Sequence, residues 1–294
     1  MFYRQKLLLA LLKSFGGQLT NNELQKYLFL YTQYNKDNPC YEFVPYKFGC
    51  YSFQSISDKF KLISLGYLKD TQGWMLSDSK KNHLSNLVNG EAKELKFFYE
   101  KYSPFKGRKL IQYIYRKYPY YAINSEIAED ILEPEEYANI KLLKEPRQGK
   151  LFTTIGYEGI TIENYLNKLI KNDVRVLIDV RKNPISRKFG FSKTKLSNFC
   201  NNVGIGYEHI PKLGIISEKR TALNTSKDYE NLFLNYKTVL SKEKESVTQL
   251  YNLYLKSDRI AITCFEKDHA MCHRTKIAEA VSGMAHDKLD IIHL

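Results

Sequence analysis

Val174-Arg175-Val176-Leu177-Ile178-Asp179-Val180-Arg181-Lys182-Asn183-Pro184 decides the class of fold. Its short apolar run does not alternate with polar residues, and it ends in a charged and proline-bearing turn. That pattern describes a strand buried on both faces, as in a parallel sheet. Working outward, Leu151-Phe152-Thr153-Thr154-Ile155 ends in Gly156 and reads as an earlier strand, with a helix near Ile162–Lys171 between the two. A helix from about Ser192 to Asn202 leads to a third strand, Tyr207–Ile210. A long helical stretch, about Lys227–Lys256, precedes a fourth strand, Arg259–Phe265. A helix after Cys272 and a last strand, Asp290–His293, complete an α/β domain over residues 150–294. Strands alternating with helices imply a mainly parallel sheet covered on both faces.

Such sheets bind ligands beyond the carboxyl ends of their strands. The unusual polar residues fall at that edge: Tyr157 and Glu158 after the first strand, Asp179, Arg181 and Arg187 after the second, His209 at the third, Glu266 after the fourth. Asp179 directly follows an apolar run, so it needs a cationic partner, with Arg181, Arg187 and Arg274 available. Its alternative role is a structural ion pair at a strand end.

Cys272-His273-Arg274 opens a helix, where the N-terminus favours anions and neighbouring cations lower a thiol pKa. This makes Cys272 a candidate thiolate nucleophile and His273 its acid–base partner, with Arg274 a bidentate phosphate grip. A buried structural cysteine beside a capping pair is the alternative. Zinc held by Cys264, Cys272 and His273 is conceivable, but the seven-residue gap between the cysteines is not a usual finger spacing, and no metal is expected. Asp268 stands where a tyrosine-phosphatase loop would carry its cysteine. No Gly-x-Gly-x-x-Gly or phosphate-loop lysine motif appears, so no nucleotide cofactor is expected. Arg181, Lys182, Arg187, Lys188, Lys193 and Lys195 surround Gly190-Phe191-Ser192, a basic loop suited to phosphate contact or simply to solvent.

Several of these motifs occur together and in order: Ile155-Gly156-Tyr157-Glu158-Gly159, Asp179-Val180-Arg181 with Pro184 and Ser186-Arg187, Gly190-Phe191-Ser192, His209-Ile210-Pro211-Lys212-Leu213-Gly214, and Cys264-Phe265-Glu266-Lys267-Asp268 followed by Cys272-His273-Arg274. The set resembles the domain-of-unknown-function family numbered 488 across nearly the whole C-terminal half. The resemblance implies a Rossmann-like α/β fold and no settled reaction.

Residues 1–83 read as helix, helix, strand-like stretch, helix and hairpin. Gln5–Ser14 has helical spacing and Gly16-Gly17 stops it. Thr20 with Glu23 forms a capping box for the next helix. Phe43–Ser52 precedes a helix near Phe53–Leu65, and Gly66–Lys69 with Trp74–Leu76 forms a wing. This order predicts an α+β winged helix-turn-helix, a fold that binds DNA and also serves protein–protein contacts. Tyr46-Lys47-Phe48-Gly49-Cys50-Tyr51-Ser52, before Leu65-Gly66-Tyr67-Leu68, resembles the N-terminal module of Panacea antitoxin-related proteins, which implies a phage-defence or toxin–antitoxin setting. Residues 84–149 read as a basic, tyrosine-rich helical connector. Its alternation of Lys106, Arg108, Lys109, Arg116 and Lys117 with Tyr113, Tyr115, Tyr118, Tyr120 and Tyr121 fits base stacking, or packing on the winged domain.

The 294 residues carry a net charge of +13, with 22 basic against 16 acidic residues in 1–149 and 23 against 16 in 150–294. A surplus in both halves favours DNA or another polyanion, although Lys-, Asn- and Tyr-rich usage also follows from an AT-rich genome. Five scattered cysteines and no long apolar run are expected of a cytoplasmic protein with reduced thiols and no membrane span. The functional expectation is a nucleic-acid-directed protein whose α/β domain acts on a nucleotide or phosphate-bearing group, as a hydrolase or transferase at an N-glycosidic or phosphoester bond. Asp179 or Glu266 would be its acid–base or nucleophilic group, and Tyr157 or His209 would position the substrate. The rival expectation is a DNA-binding or nucleotide-sensing regulator without turnover.

Overall fold

A computed structural model describes residues 1–35, 39–88, 90–216, 225–285 and 289–294. The chain divides into two compact units, Met1–Glu145 and Pro146–Leu294.

The N-terminal unit contains α1 (Tyr3–Ser14), β1 (Gln18–Leu19), α2 (Asn21–Tyr34), β2 (Val44–Tyr46), β3 (Gly49–Tyr51), α3 (Phe53–Ser64), β4 (Trp74–Met75), α4 (Glu91–Tyr102), α5 (Gly107–Lys117), α6 (Ala128–Ile131) and α7 (Pro134–Lys144). The expected capping box forms: Thr20 Oγ1 accepts from Glu23 N, and Glu23 Oε2 accepts from Thr20 N, each at 3.2 Å. β1 pairs antiparallel with β4, and a bridge joins Leu68 to Leu76. β2 and β3 form a separate hairpin.

The stretch expected as a connector belongs to this unit. Tyr118 and Tyr121 set their edges against Phe29 of α2, and Tyr115 is buried with its hydroxyl 2.7 Å from Ser125 Oγ. These tyrosines cover apolar surface. Of the two readings of that segment, packing accounts for them.

The C-terminal unit contains β5 (Leu151–Gly156), α8 (Ile162–Lys171), β6 (Val176–Asp179), α9 (Lys193–Asn202), β7 (Gly206–His209), α10 (Ser226–Lys242), α11 (Lys244–Ser257), β8 (Arg259–Cys264), α12 (His273–Ser282) and β9 (Ile291–His293). The five strands form one sheet in the order β7-β6-β8-β5-β9, with every pairing parallel. The single long helix expected after residue 227 is two helices meeting at Glu243.

Side chains along a strand alternate between faces. Phe152, Ile178, Val180, Ile260 and Ile262 share one core with α10, α11 and α12 through Tyr236, Leu250, Tyr254 and Ile277. The residues between them point to the opposite face. There Asp179 lies toward α8 and α9, where burial first and its charge second raise the Cys200 thiol above its ordinary value, and burial first, then the charge of Cys200 and more weakly that of Asp179, raise the Tyr165 phenol. Among the described residues, no helix is long and apolar enough to cross a membrane.

Candidate functional site at the carboxyl edge of the sheet

The expected polar residues do reach the carboxyl edge, but alternation divides most of them into two clusters. The first surrounds Asp179, which is 0% exposed at the end of β6. Arg181 folds back on it, with Nε 2.8 Å from Oδ1 and Nη2 2.5 Å from Oδ2. Burial alone would lower the guanidinium's hold on its proton; the Asp179 hydrogen bond and charge outweigh it and raise the pKa. Arg181 Nη1 donates to the Tyr157 hydroxyl at 3.0 Å and to Phe191 O at 2.8 Å. The Tyr207 hydroxyl donates to Asp179 Oδ2 at 2.7 Å, and His209 Nε2 lies 2.9 Å from Arg181 O. The Tyr157 ring stacks on buried Phe191 at 4.4 Å.

This cluster is saturated. The Asp179 carboxylate accepts from Arg181 and Tyr207, and a side chain so engaged is a brace before it is a base. Tyr207 was absent from the sequence-derived set. Its signal was its position two residues before His209, on the same face of β7.

The second cluster gathers around Cys264, the last residue of β8, and Cys272-His273 at the start of α12. Cys264 Sγ donates to Glu266 Oε2 at 3.2 Å and lies 3.6 Å from His273 Nδ1; Cys272 Sγ lies 3.9 Å from the same nitrogen. His273 Nε2 faces Val180 O at 3.3 Å. Cys264, Cys272 and His273 are each about 1% exposed, whereas Glu266 is partly exposed.

The expectation of a lowered Cys272 pKa is corrected here. Burial first, then the hydrogen bond and charge of Cys264, push this thiol well above its usual value, and the nearby Arg274 only partly opposes them. Without its proton removed by another agent, Cys272 is a thiol at neutral pH and not a ready nucleophile.

Arg274, expected to grip a phosphate, is 1% exposed and holds its own chain. Its Nη1 donates to Glu266 O, Nη2 to Lys267 O at 3.0 Å, and Nε to Thr154 Oγ1 at 3.2 Å. Glu158 braces the same loop, accepting from Lys267 N at 3.0 Å, while the Tyr157 and Glu158 amides donate to Phe265 O. The approach is so close that a Cβ on Gly156 would sit 1.8 Å from Glu266 O. Only glycine fits there.

The exposed cations of this edge include Lys212 and Lys267 and, on the β6–α9 loop and the start of α9, Lys182, Arg187, Lys193 and Lys195. Lys188 is partly buried and donates to Tyr157 O at 2.9 Å; burial lowers its pKa, opposed by Glu158. Arg187 thus stands apart from both clusters. Ser192 stands at the N-cap position of α9 in an extended conformation without a side-chain capping bond, and Lys193 N donates to Pro184 O.

Residues 161–281 match the family model described as Domain of unknown function DUF488. The C-terminal unit carries a DUF488 domain. The match begins after β5 and ends within α12, so it takes in Asp179, Arg181, Arg187, His209, Cys264, Glu266, Cys272, His273 and Arg274 and leaves out Tyr157, Glu158 and the N-terminal unit. No curated protein and no solved structure matches the chain.

Proposed function

We propose that the DUF488 domain binds a phosphate-bearing group, a nucleotide or a nucleic-acid strand, at the carboxyl edge of its sheet and hydrolyses or transfers it at an N-glycosidic or phosphoester bond. The observation that supports this is the division of labour among cations at that edge. Arg181 and Arg274 are buried and saturated, while Lys182, Arg187, Lys193 and Lys195 face solvent on the loop above the same strand ends. Exposed cations beside a helix N-terminus attract phosphate oxygens. Glu266 is the acid–base group on this reading, because it is partly exposed where Asp179 is sealed beneath Arg181 and Tyr207.

In the same proposal the N-terminal unit is a winged helix-turn-helix that engages DNA. Its order of helix, strand, helix, hairpin, helix and wing supports that reading, as do exposed Lys69, Lys80 and Lys81 on and beside the wing. Helix α3 contributes little charge. Lys59 is buried against the carbonyls of Thr71 and Gln72, and Phe60 is 65% exposed beside Lys61. Phosphate contact through the wing is therefore favoured over base reading by α3.

The test is mass spectrometry of a nucleotide and oligonucleotide panel before and after incubation, with a gel shift across a salt series. Turnover lost in Glu266→Gln, and binding weakened by salt and by Arg187→Ala, are the expected results. Binding without turnover would instead favour a nucleotide-sensing or DNA-binding regulator, a reading supported by the sealed state of Asp179 and Cys272. Absence of any shift at low salt would overturn the nucleic-acid reading.

A further inference from the structure

We infer that Cys264, Cys272, His273 and Glu266 form a binding site for one zinc-class divalent ion. The inference concerns the second cluster alone; in the metal-loaded protein Glu266 is a ligand, so the acid–base role given to it above belongs to the metal-free protein only. Their ligand atoms, two sulfurs, one ring nitrogen and one carboxylate oxygen, all lie within 4.8 Å of one another. Zinc takes thiolate, imidazole and carboxylate together, with Zn–S near 2.3 Å and Zn–N and Zn–O near 2.0–2.2 Å. At the tetrahedral angle those bonds separate a sulfur from a nitrogen or oxygen ligand by about 3.5 Å. The observed separations are 3.6 Å and 3.9 Å from His273 Nδ1 to the two sulfurs and 3.2 Å from Cys264 Sγ to Glu266. These three separations lie within about 0.4 Å of that value, and the remaining ligand pairs, all within 4.8 Å, draw together around the ion.

Three features outside the ligand set point the same way. Metal-binding histidines characteristically donate their second ring N–H to a carbonyl or carboxylate, which fixes the tautomer. His273 Nε2 faces Val180 O, so the proton belongs on Nε2 and the lone pair of Nδ1 is aimed at the sulfurs. Tyr236 sets the ring further, edge to face at 5.5 Å.

The loop that separates the cysteines is also held in place by groups that are not ligands: Arg274 grips Glu266 O and Lys267 O, and Glu158 caps Lys267 N. The ligands therefore need little ordering to bind. The charge is balanced as well. Two thiolates and a carboxylate around a divalent ion leave one net negative charge, and the buried guanidinium of Arg274, next in the chain to His273, supplies a positive charge close by. Binding releases the two thiol protons to solvent.

With four protein ligands the site is closed and structural in kind, and Glu266 is its one ligand in contact with solvent. It fastens the end of β8 to the start of α12. The seven-residue gap that argues against a zinc finger in the sequence does not argue against this site. A strand end and a helix start meet across the loop, where a finger relies on a short knuckle.

The test uses the full chain under reducing conditions, loaded with zinc or cobalt(II) and freed of excess metal. The expected results are about one equivalent of metal per chain, a thiolate-to-cobalt charge-transfer band with tetrahedral d–d absorption, and release of zinc on mercurial titration of the thiols. Cys272→Ser and His273→Gln should abolish the cobalt spectrum. Glu266→Gln should weaken zinc binding by tenfold or more while retaining the sulfur charge-transfer band. Cys40→Ser should change nothing. A folded wild-type chain that gives no charge-transfer band at saturating cobalt overturns the inference without relying on any variant. Zinc retained undiminished by a folded Cys264→Ser/Cys272→Ser chain would overturn it equally.

Discussion

The two clusters at the sheet's carboxyl edge use similar ingredients, buried polar groups under short loops, to opposite ends. Around Asp179 a carboxylate meets a guanidinium and a phenol, and every strong donor and acceptor finds a complement within the chain. Around His273 all four groups offer lone pairs once their protons are removed, the array a cation takes. The contrast shows that burial and closeness do not themselves mark a binding site. The sign of what converges does: opposite charges close a site, and like donors open one to an ion.

The largest expected effect tests the closed side. Arg181→Ala leaves the Asp179 carboxylate buried without its ion-pair partner and should cost about 3–5 kcal/mol, read by urea unfolding of the C-terminal unit. Asp179→Asn with Arg181→Met should cost less than Arg181→Ala alone, because no buried charge is then left uncompensated. A loss below about 1 kcal/mol for Arg181→Ala would mean that the pair is not the brace described.

Next, Gly156→Ala forces the Glu266 loop away from β5. About 1–3 kcal/mol of stability should be lost, typical of overpacking, and zinc affinity should fall with it, although Gly156 is not a ligand. Unchanged zinc affinity would separate the loop's position from the metal site.

A pH dependence follows on the closed side. Burial, then the Asp179 charge, raises the Cys200 thiol pKa. A thiol whose folded pKa lies above its unfolded value contributes stability that is fully present below the unfolded value of about 8.5 and is lost as pH rises above it. The loss attributable to Cys200 should reach about 1.4 kcal/mol at pH 9.5, measured as the difference in denaturation between the wild type and Cys200→Ala.

The smallest effect on stability should come from Lys193→Ala, within about 0.5 kcal/mol of wild type. Its binding of phosphate-bearing ligands should nonetheless weaken roughly fivefold, or about 1 kcal/mol, with a shallower salt dependence. An equal binding loss from Arg274→Lys, whose side chain faces the protein, would sink the assignment of phosphate contact to the exposed loop.

Much of this architecture was legible in the chain. The apolar runs at Leu151, Val176 and Arg259 mark strands because a parallel sheet buries both faces, and the turn residues after each run mark the carboxyl edge. Thr20 and Glu23 announced α2 because a capping box is a contact between residues three apart. The break between α10 and α11 was less visible, since a continuous charged and apolar pattern runs through Glu243. The sequence offered Arg181 as one of three candidate partners for Asp179 and could not choose among them, and the engagement of Arg274 by backbone carbonyls was not legible at all. A sequence displays a cation but not whether a carbonyl or a carboxylate already holds it.

The sequence by itself determined that a parallel α/β domain places Tyr157, Asp179, Arg181, His209, Cys264 and Glu266 near one edge, because strand pattern and turn position are local properties. Only the tertiary structure decided that these residues make two sites. Which face each side chain takes depends on strand register. Which loop crosses which strand end depends on the order β7-β6-β8-β5-β9. The convergence of Cys264 with Cys272 and His273 depends on both, because α12 must pack back on the face that Cys264 shares with Ile260 and Ile262, and local sequence spacing cannot express that contact.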